Sequence, residues 1–186
     1  ILKRSEKIVD NLGITAPAVK QNVLYILANR YFKLNDIYEV RDQKVKYAKA
    51  VLTGASKQAA IEAAELEKDA TLYRCHFEFP ASLSLYINDK QIDAIKDGMT
   101  YNSLQVQYES LVDMVPSLTE EEKKQIYAWY KEARGFSMDA ENSDKKHAAF
   151  NKYKGRINNY LTKRGYDLVK ERNEWYKRLK AAGKKI

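Results

Sequence analysis

Helix breakers are scarce in this chain: three prolines and seven glycines in 186 residues. No proline or glycine falls between Pro17 and Gly54, or between Gly54 and Pro80. Strand-and-turn architectures need turn residues every 8–12 positions or so. Stretches this long without punctuation favour helix. Within them apolar residues recur at helical spacing, through Val23, Leu27, Leu34, Ile37, Val45 and Leu52.

The fold expected is all-α: a long antiparallel helical hairpin over residues 15–86, packed with a C-terminal group of shorter helices over 88–182, the whole chain 1–186 forming one domain. Thr15-Ala16-Pro17 supplies a hydroxyl for an N-cap and a proline in the first turn. Thr53-Gly54-Ala55-Ser56 reads as the tight connection, and Pro80 should kink or restart the second long helix. Asn88 with Gln91, and Thr119 with Glu122, carry the spacing of capping boxes. Between them Met99–Gln107 reads as the least helical stretch, with Leu104, Val106 and Tyr108 alternating as in extended chain. Ser143 is expected to cap a helix through Arg164, Gly165 to end it, and Asp167 to open the last one, before a fraying Gly183-Lys184-Lys185 tail.

Composition bounds function loosely. Hydrophobic residues at 45% and charged residues at 31% suit a folded, water-exposed domain. The net charge of +8 would attract acidic partners. The lysines are scattered rather than gathered on one segment, which argues against nucleic acid. Cys75 stands alone, so no intramolecular disulfide forms. No apolar run is long enough for a transmembrane segment. The chain opens at Ile1, which leads us to expect a processed product with a signal peptide removed.

Catalytic patterns are thin. Two histidines and one cysteine do not supply a tetrahedral zinc set. Cys75 and His76 are neighbours on a helix and diverge by about 100°. Asp144 and His147 stand one turn apart without the second carboxylate–histidine unit of a di-iron bundle. Glu62, Glu65 and Glu67 lie among alanines and near Lys68, as on a solvated helix face. Gly-rich phosphate loops and nucleophile elbows are missing. A non-catalytic protein without a cofactor is the expectation.

One segment is chemically dense: Lys152-Tyr153-Lys154-Gly155-Arg156-Ile157-Asn158-Asn159-Tyr160-Leu161, then Gly165-Tyr166-Asp167. Drawn as a helix, it puts Phe150, Tyr153, Ile157, Tyr160 and Leu161 on a core stripe. Lys152, Arg156, Asn159 and Lys163 form a polar stripe. Asn151, Gly155, Asn158 and Thr162 form a third of small uncharged residues. On a packing account Gly155 lets another helix approach. On a binding account Arg156, Asn158 and Asn159 offer donors and acceptors beside aromatic rings, as sugar recognition requires. Ten of the chain's 21 aromatic residues fall between Tyr127 and Tyr176, so rings are at hand.

A chain of motifs then adds a resemblance. Asp97-Gly98-Met99-Thr100-Tyr101, Pro116-Ser117-Leu118-Thr119, Lys131-Glu132-Ala133-Arg134, Met138-Asp139-Ala140, Lys146-His147 and the dense segment follow in order, after Leu34-Asn35-Asp36-Ile37 and Arg41-Asp42. Together they resemble an uncharacterised family of exported bacterial helical proteins, a domain of unknown function provisionally described as sugar-binding. The resemblance implies a mature, periplasmic protein associated with polysaccharide use. It departs from the family pattern at Tyr101-Asn102, where glycine commonly follows the tyrosine, and at Ile87-Asn88-Asp89, which replaces a Leu-Thr-Pro helix start. The density of motifs around the Met99–Tyr101 loop suggests a site that joins Met99 and Tyr101 to Arg134, Asp139, His147 and the Lys154–Asn159 helix. There Arg156 would hold a carboxylate or ring hydroxyls, Asn158 and Asn159 would orient hydroxyls, and Tyr101 or Trp129 would stack; Lys154 completes the set. The alternative is a periplasmic chaperone-like or structural helical protein that binds unfolded or partner proteins.

Overall fold

A computed structural model describes residues 1–184; Lys185, the end of the expected fraying tail, lies outside the described residues. The helices are α1 (Leu2–Asp10), α2 (Pro17–Val51), α3 (Gly54–His76), α4 (Glu78–Ser84), α5 (Asp89–Met99), α6 (Ser103–Met114), α7 (Glu120–Met138), α8 (Ser143–Lys163) and α9 (Leu168–Ala181). Among the described residues there is no strand, so the all-α expectation holds. Nor does any described helix have the length and apolarity to cross a membrane. Packing divides the chain into two compact units, Ile1–Ile95 and Lys96 onward, with the boundary inside α5.

In the first unit α2 and α3 pack side by side as the expected hairpin, joined by the extended pair Leu52-Thr53. Pro17 occupies N1 of α2, which makes Ala16 the N-cap and leaves Thr15 one residue too early to cap. Arg41 pairs with Glu65 at 3.1 Å, Lys33 with Glu78 at 2.6 Å, and Lys44 with Glu67, stitching the two strokes of the hairpin. The two exposed lysine pairs contribute about 1 kcal/mol each at most. Glu65 is thus a partner of Lys68 and Arg41, both of which hold its carboxyl below the usual range.

The second stroke breaks at Phe77 and restarts as α4, with Pro80 in its first turn, where an amide hydrogen would have no helical partner anyway. The break leaves the Cys75 carbonyl to the buried Arg30, whose Nη1 donates to it at 3.1 Å. Leu27 and Val23 of α2 and Leu83 of α4 are fully buried. α1 lies outside the expected hairpin; Ser5, Ile8, Val9 and Leu12 recur at helical spacing and are all buried. The Asn88 capping box forms in both directions, Asn88 N–H to Gln91 Oε1 at 3.2 Å and Gln91 N–H to Asn88 Oδ1 at 3.0 Å. Gln91 also donates from Nε2 to Leu12 O at 3.0 Å, fastening the turn after α1.

The hairpin also leaves apolar surface uncovered. Ala59, Ala63, Leu66, Ala70, Tyr73 and Phe77 of α3 and its C-cap are all exposed. Their alternating four- and three-residue spacing is that of a coiled-coil seam, on the side of α3 opposite the buried Ala64 and Cys75.

In the second unit the stretch expected to be extended is helical. The governing spacing is Leu104, Tyr108, Leu111, Val115, one side of α6 and its C-cap; Leu104, Leu111 and Val115 are buried, while Val106 is 58% exposed. The apparent alternation came from Val106, which points away from this core. The turn before α6 is unusual: Tyr101 (φ +58°) and Asn102 (φ +55°) are both left-handed. Asn102 N–H bonds to Asp97 O at 2.9 Å, closing a Schellman-type stop on α5 with Tyr101 where glycine normally sits. Asparagine is among the residues that tolerate this region, which suits Asn102 to its place.

Thr119 and Glu122 form the second capping box in full. α7 and α8 run antiparallel, with Trp129 against Tyr160 and Phe136 against Tyr153. The cap of α8 is Asn142, whose Oδ1 accepts from Lys145 N–H at 3.0 Å, not Ser143 as expected. Ser143 already has helical position N1, and its hydroxyl lies toward His147 Nδ1 instead. At the other end, Gly165 (φ +94°) forms a Schellman stop, with Tyr166 N–H on Leu161 O and Gly165 N–H on Thr162 O. Asp167 caps α9 by accepting from Val169 and Lys170 N–H. The core joins Leu104, Val115, Ile126, Tyr130, Phe150, Ile157 and Leu161, each large aliphatic or Phe side chain contributing about 1.5–3 kcal/mol by burial.

Candidate functional site

The core stripe drawn from the sequence is real: Phe150, Tyr153, Ile157 and Leu161 are buried, and Tyr160 is half-buried. That phase turns Lys152, Arg156, Asn159 and Lys163 outward. With Trp129 of α7 and Gly155, Tyr153 and Tyr160 of α8 they line an open groove of about 710 Å³. Arg156 lies over the Trp129 ring, 4.8 Å from its centroid. Trp129 meets Tyr160 edge-to-face at 5.0 Å and 88°. Arg164, the C-cap of α8, lies over the Tyr160 ring at 4.7 Å. One edge-to-face aromatic pair therefore seats two guanidinium groups.

The groove's acid neighbour is Glu132, 3.6 Å from Arg156 Nη1. Tyr153 is pushed up to about 12, first by burial and then by its hydrogen bond to Glu132, so its hydroxyl stays protonated at ordinary pH and donates to that carboxylate. Gly155 is exposed, and a Cβ placed on it would meet nothing within 4 Å. The close helix approach that the packing account expected at Gly155 is therefore not present; the missing side chain leaves groove wall instead.

A separate cluster gathers around the α5–α6 turn. Arg134 of α7, with its side chain 5% exposed, donates from Nη1 to Asp97 Oδ1 at 2.8 Å. Buried Lys146 of α8 donates from Nζ to Met99 O at 2.9 Å, placing a cation at the C-terminus of α5. Ser137 Oγ donates to Lys146 O at 3.2 Å. Above these, exposed Tyr101 stacks on exposed His147, centroids 5.7 Å apart and planes within 4°.

The expected site residues thus fall into two sets. Trp129, Arg156 and Asn159 share the groove. Met99, Tyr101, Arg134 and His147 share the turn cluster, where Met99 and Arg134 are buried. Asp139 is the half-buried C-cap of α7. Lys154 is exposed and Asn158 half-buried, and neither is among the groove's lining residues.

A family model described as "Protein of unknown function (DUF3826)" matches residues 1–181. The chain belongs to the DUF3826 family. The match spans both compact units and all nine described helices. No curated protein matches the sequence.

In this DUF3826 chain the candidate site residues chosen from sequence left out Lys152, Tyr160 and Lys163, which line the groove, and Arg164 beside it. A signal for the two lysines was there: they share the polar stripe of α8 with Arg156 and Asn159. Tyr160 was assigned wholly to the core, because a stripe drawn on one helix does not show where a neighbouring helix stops covering it.

Proposed function

We propose that this DUF3826 protein is a non-catalytic carbohydrate-binding accessory of polysaccharide use, exported by its bacterium to the periplasm. The observation that carries the reading is the groove between α7 and α8. There a guanidinium on a tryptophan, a side-chain amide and two ammonium groups face solvent together beside aromatic rings. Sugar hydroxyls take paired donors and acceptors, which Arg156 and Asn159 supply. Arg156 meets Glu132 only at 3.6 Å, a loose pairing that leaves guanidinium donors for a ligand. Residues of the turn cluster serve the reading differently: Arg134 and Lys146 hold the end of α5 that carries Tyr101.

A glycan-panel binding screen on the full chain tests it, repeated with Arg156→Ala and Trp129→Ala. Binding to at least one glycan, weakened about tenfold or more by either substitution, supports the reading. No binding to any neutral or acidic glycan rejects it. Cell fractionation of the producing bacterium checks the export arm, which requires the protein in the periplasmic fraction.

A second reading, a structural protein that binds a partner helix, is favoured by the exposed seam on α3. An apolar seam of that spacing takes the apolar face of a partner amphipathic helix. Leu66→Glu with Tyr73→Glu would abolish capture of such a helix and leave glycan binding untouched.

A further inference from the structure

We infer that the groove selects a carboxylate-bearing sugar chain, a polyuronate, over neutral glycans. This rests on the carbohydrate reading above and narrows it.

Charge is the first ground. Lys152, Arg156 and Lys163 line the groove, and no carboxylate does. Glu132 meets Arg156 only at 3.6 Å, with both side chains about half exposed (54% and 49%). That distance is beyond a good charge-assisted hydrogen bond, which falls at about 2.7–2.9 Å. Arg164 is similarly placed: its Nη1 stands 3.8 Å from Glu122 Oε1, and its side chain is 46% exposed. Both arginines therefore keep donors for an incoming anion.

Pre-organisation is the second. A guanidinium resting on an aromatic ring loses little further freedom on binding, and its planar fork matches the two oxygens of a carboxylate. Arg156 and Arg164 are eight residues apart on α8, roughly 12 Å along the axis, with Lys163 and Asn159 between. That is a row of donors for repeating carboxylates, with an amide for the hydroxyls.

The same geometry disfavours a single-stranded nucleic acid. Base binding to such grooves depends on free aromatic faces. Here Arg156 covers Trp129 and Arg164 covers Tyr160.

The test is calorimetric titration of the full chain with oligogalacturonate and with the same oligomer methyl-esterified, which keeps rings and hydroxyls and removes the charge. The acid form should bind about tenfold or more tightly than the ester, and more weakly as salt rises. Arg156→Lys, which keeps the charge but not the fork, should cost about fivefold or more. Lys46→Ala on α2 should change nothing. Equal binding of acid and ester overturns the inference while leaving the carbohydrate reading intact. Failure of the acid, the ester and every neutral glycan overturns both. Binding of oligo(dT) or polyglutamate as tight as that of the acid sugar overturns selection of a sugar chain and shows a charge-only surface.

Discussion

Gly155 sits in the interior of α8 with open space where a side chain would be. Glycine there costs about 1 kcal/mol relative to alanine through backbone entropy alone. Gly155→Ala should therefore raise stability by about that amount in urea unfolding. A loss of stability instead would refute the open space at this position. Glu122 behaves in the opposite way. Burial alone would raise its carboxyl, but hydrogen bonds from Tyr166 and Thr119, with Arg164 nearby, hold it below the usual range. A group lowered by folding stabilises fully above its unfolded value, about 4.3, and that contribution is lost as pH falls through the folded value. Glu122→Ala should cost about 2 kcal/mol at neutral pH. Glu122→Gln should flatten the loss of stability seen in the parent protein as pH drops below about 4.3.

The helices tell a consistent story about what local sequence can announce. Capping boxes at Asn88 and Thr119 and the glycine stop at Gly165 were legible because each involves residues no more than five apart. The α8 cap was misplaced by one residue. Asn142 and Ser143 are both capping types, and only the backbone decides: Asn142 is extended (φ −147°, ψ 177°) and Ser143 is already helical. Asn142→Ala should destabilise by about 1 kcal/mol, and Ser143→Ala by a few tenths at most. Thermal unfolding of the two variants separates them. The stretch leading into α6 differs from the extended chain expected there for another reason. Two left-handed residues interrupt the chain at Tyr101 and Asn102, and a short alternation after them matched period two until Leu111 and Val115 extended the helical spacing.

Across the whole molecule, both tryptophans, Trp129 and Trp175, lie in the second compact unit, whereas helix fills both units. Tryptophan emission therefore follows one unit and far-UV circular dichroism the pair. The single-domain expectation requires one shared midpoint in denaturant. Two midpoints would make Ile1–Ile95 and the remainder independent folding units. α9 should be the first described element of the second unit to open. None of its residues is buried, and Trp175 Nε1 to Asp113 Oδ2 at 2.6 Å and Arg178 Nη2 to Asp113 O at 2.7 Å tie it to α6. Hydrogen exchange should find its amides the least protected of α6–α9.

By itself the sequence determined the helical class, most helix ends and the phase of α8, because breaker scarcity, caps and the 3.6-residue period are properties of neighbouring residues. It also made Arg156 and Asn159 face away from the core. Only the tertiary structure decided what they face. α7 crosses so that Trp129 lies beneath Arg156, Gly155 stays open, and Arg134 turns inward to Asp97 rather than toward a ligand. Those outcomes depend on how two helices pack across a long sequence separation. The period of one helix does not encode that crossing.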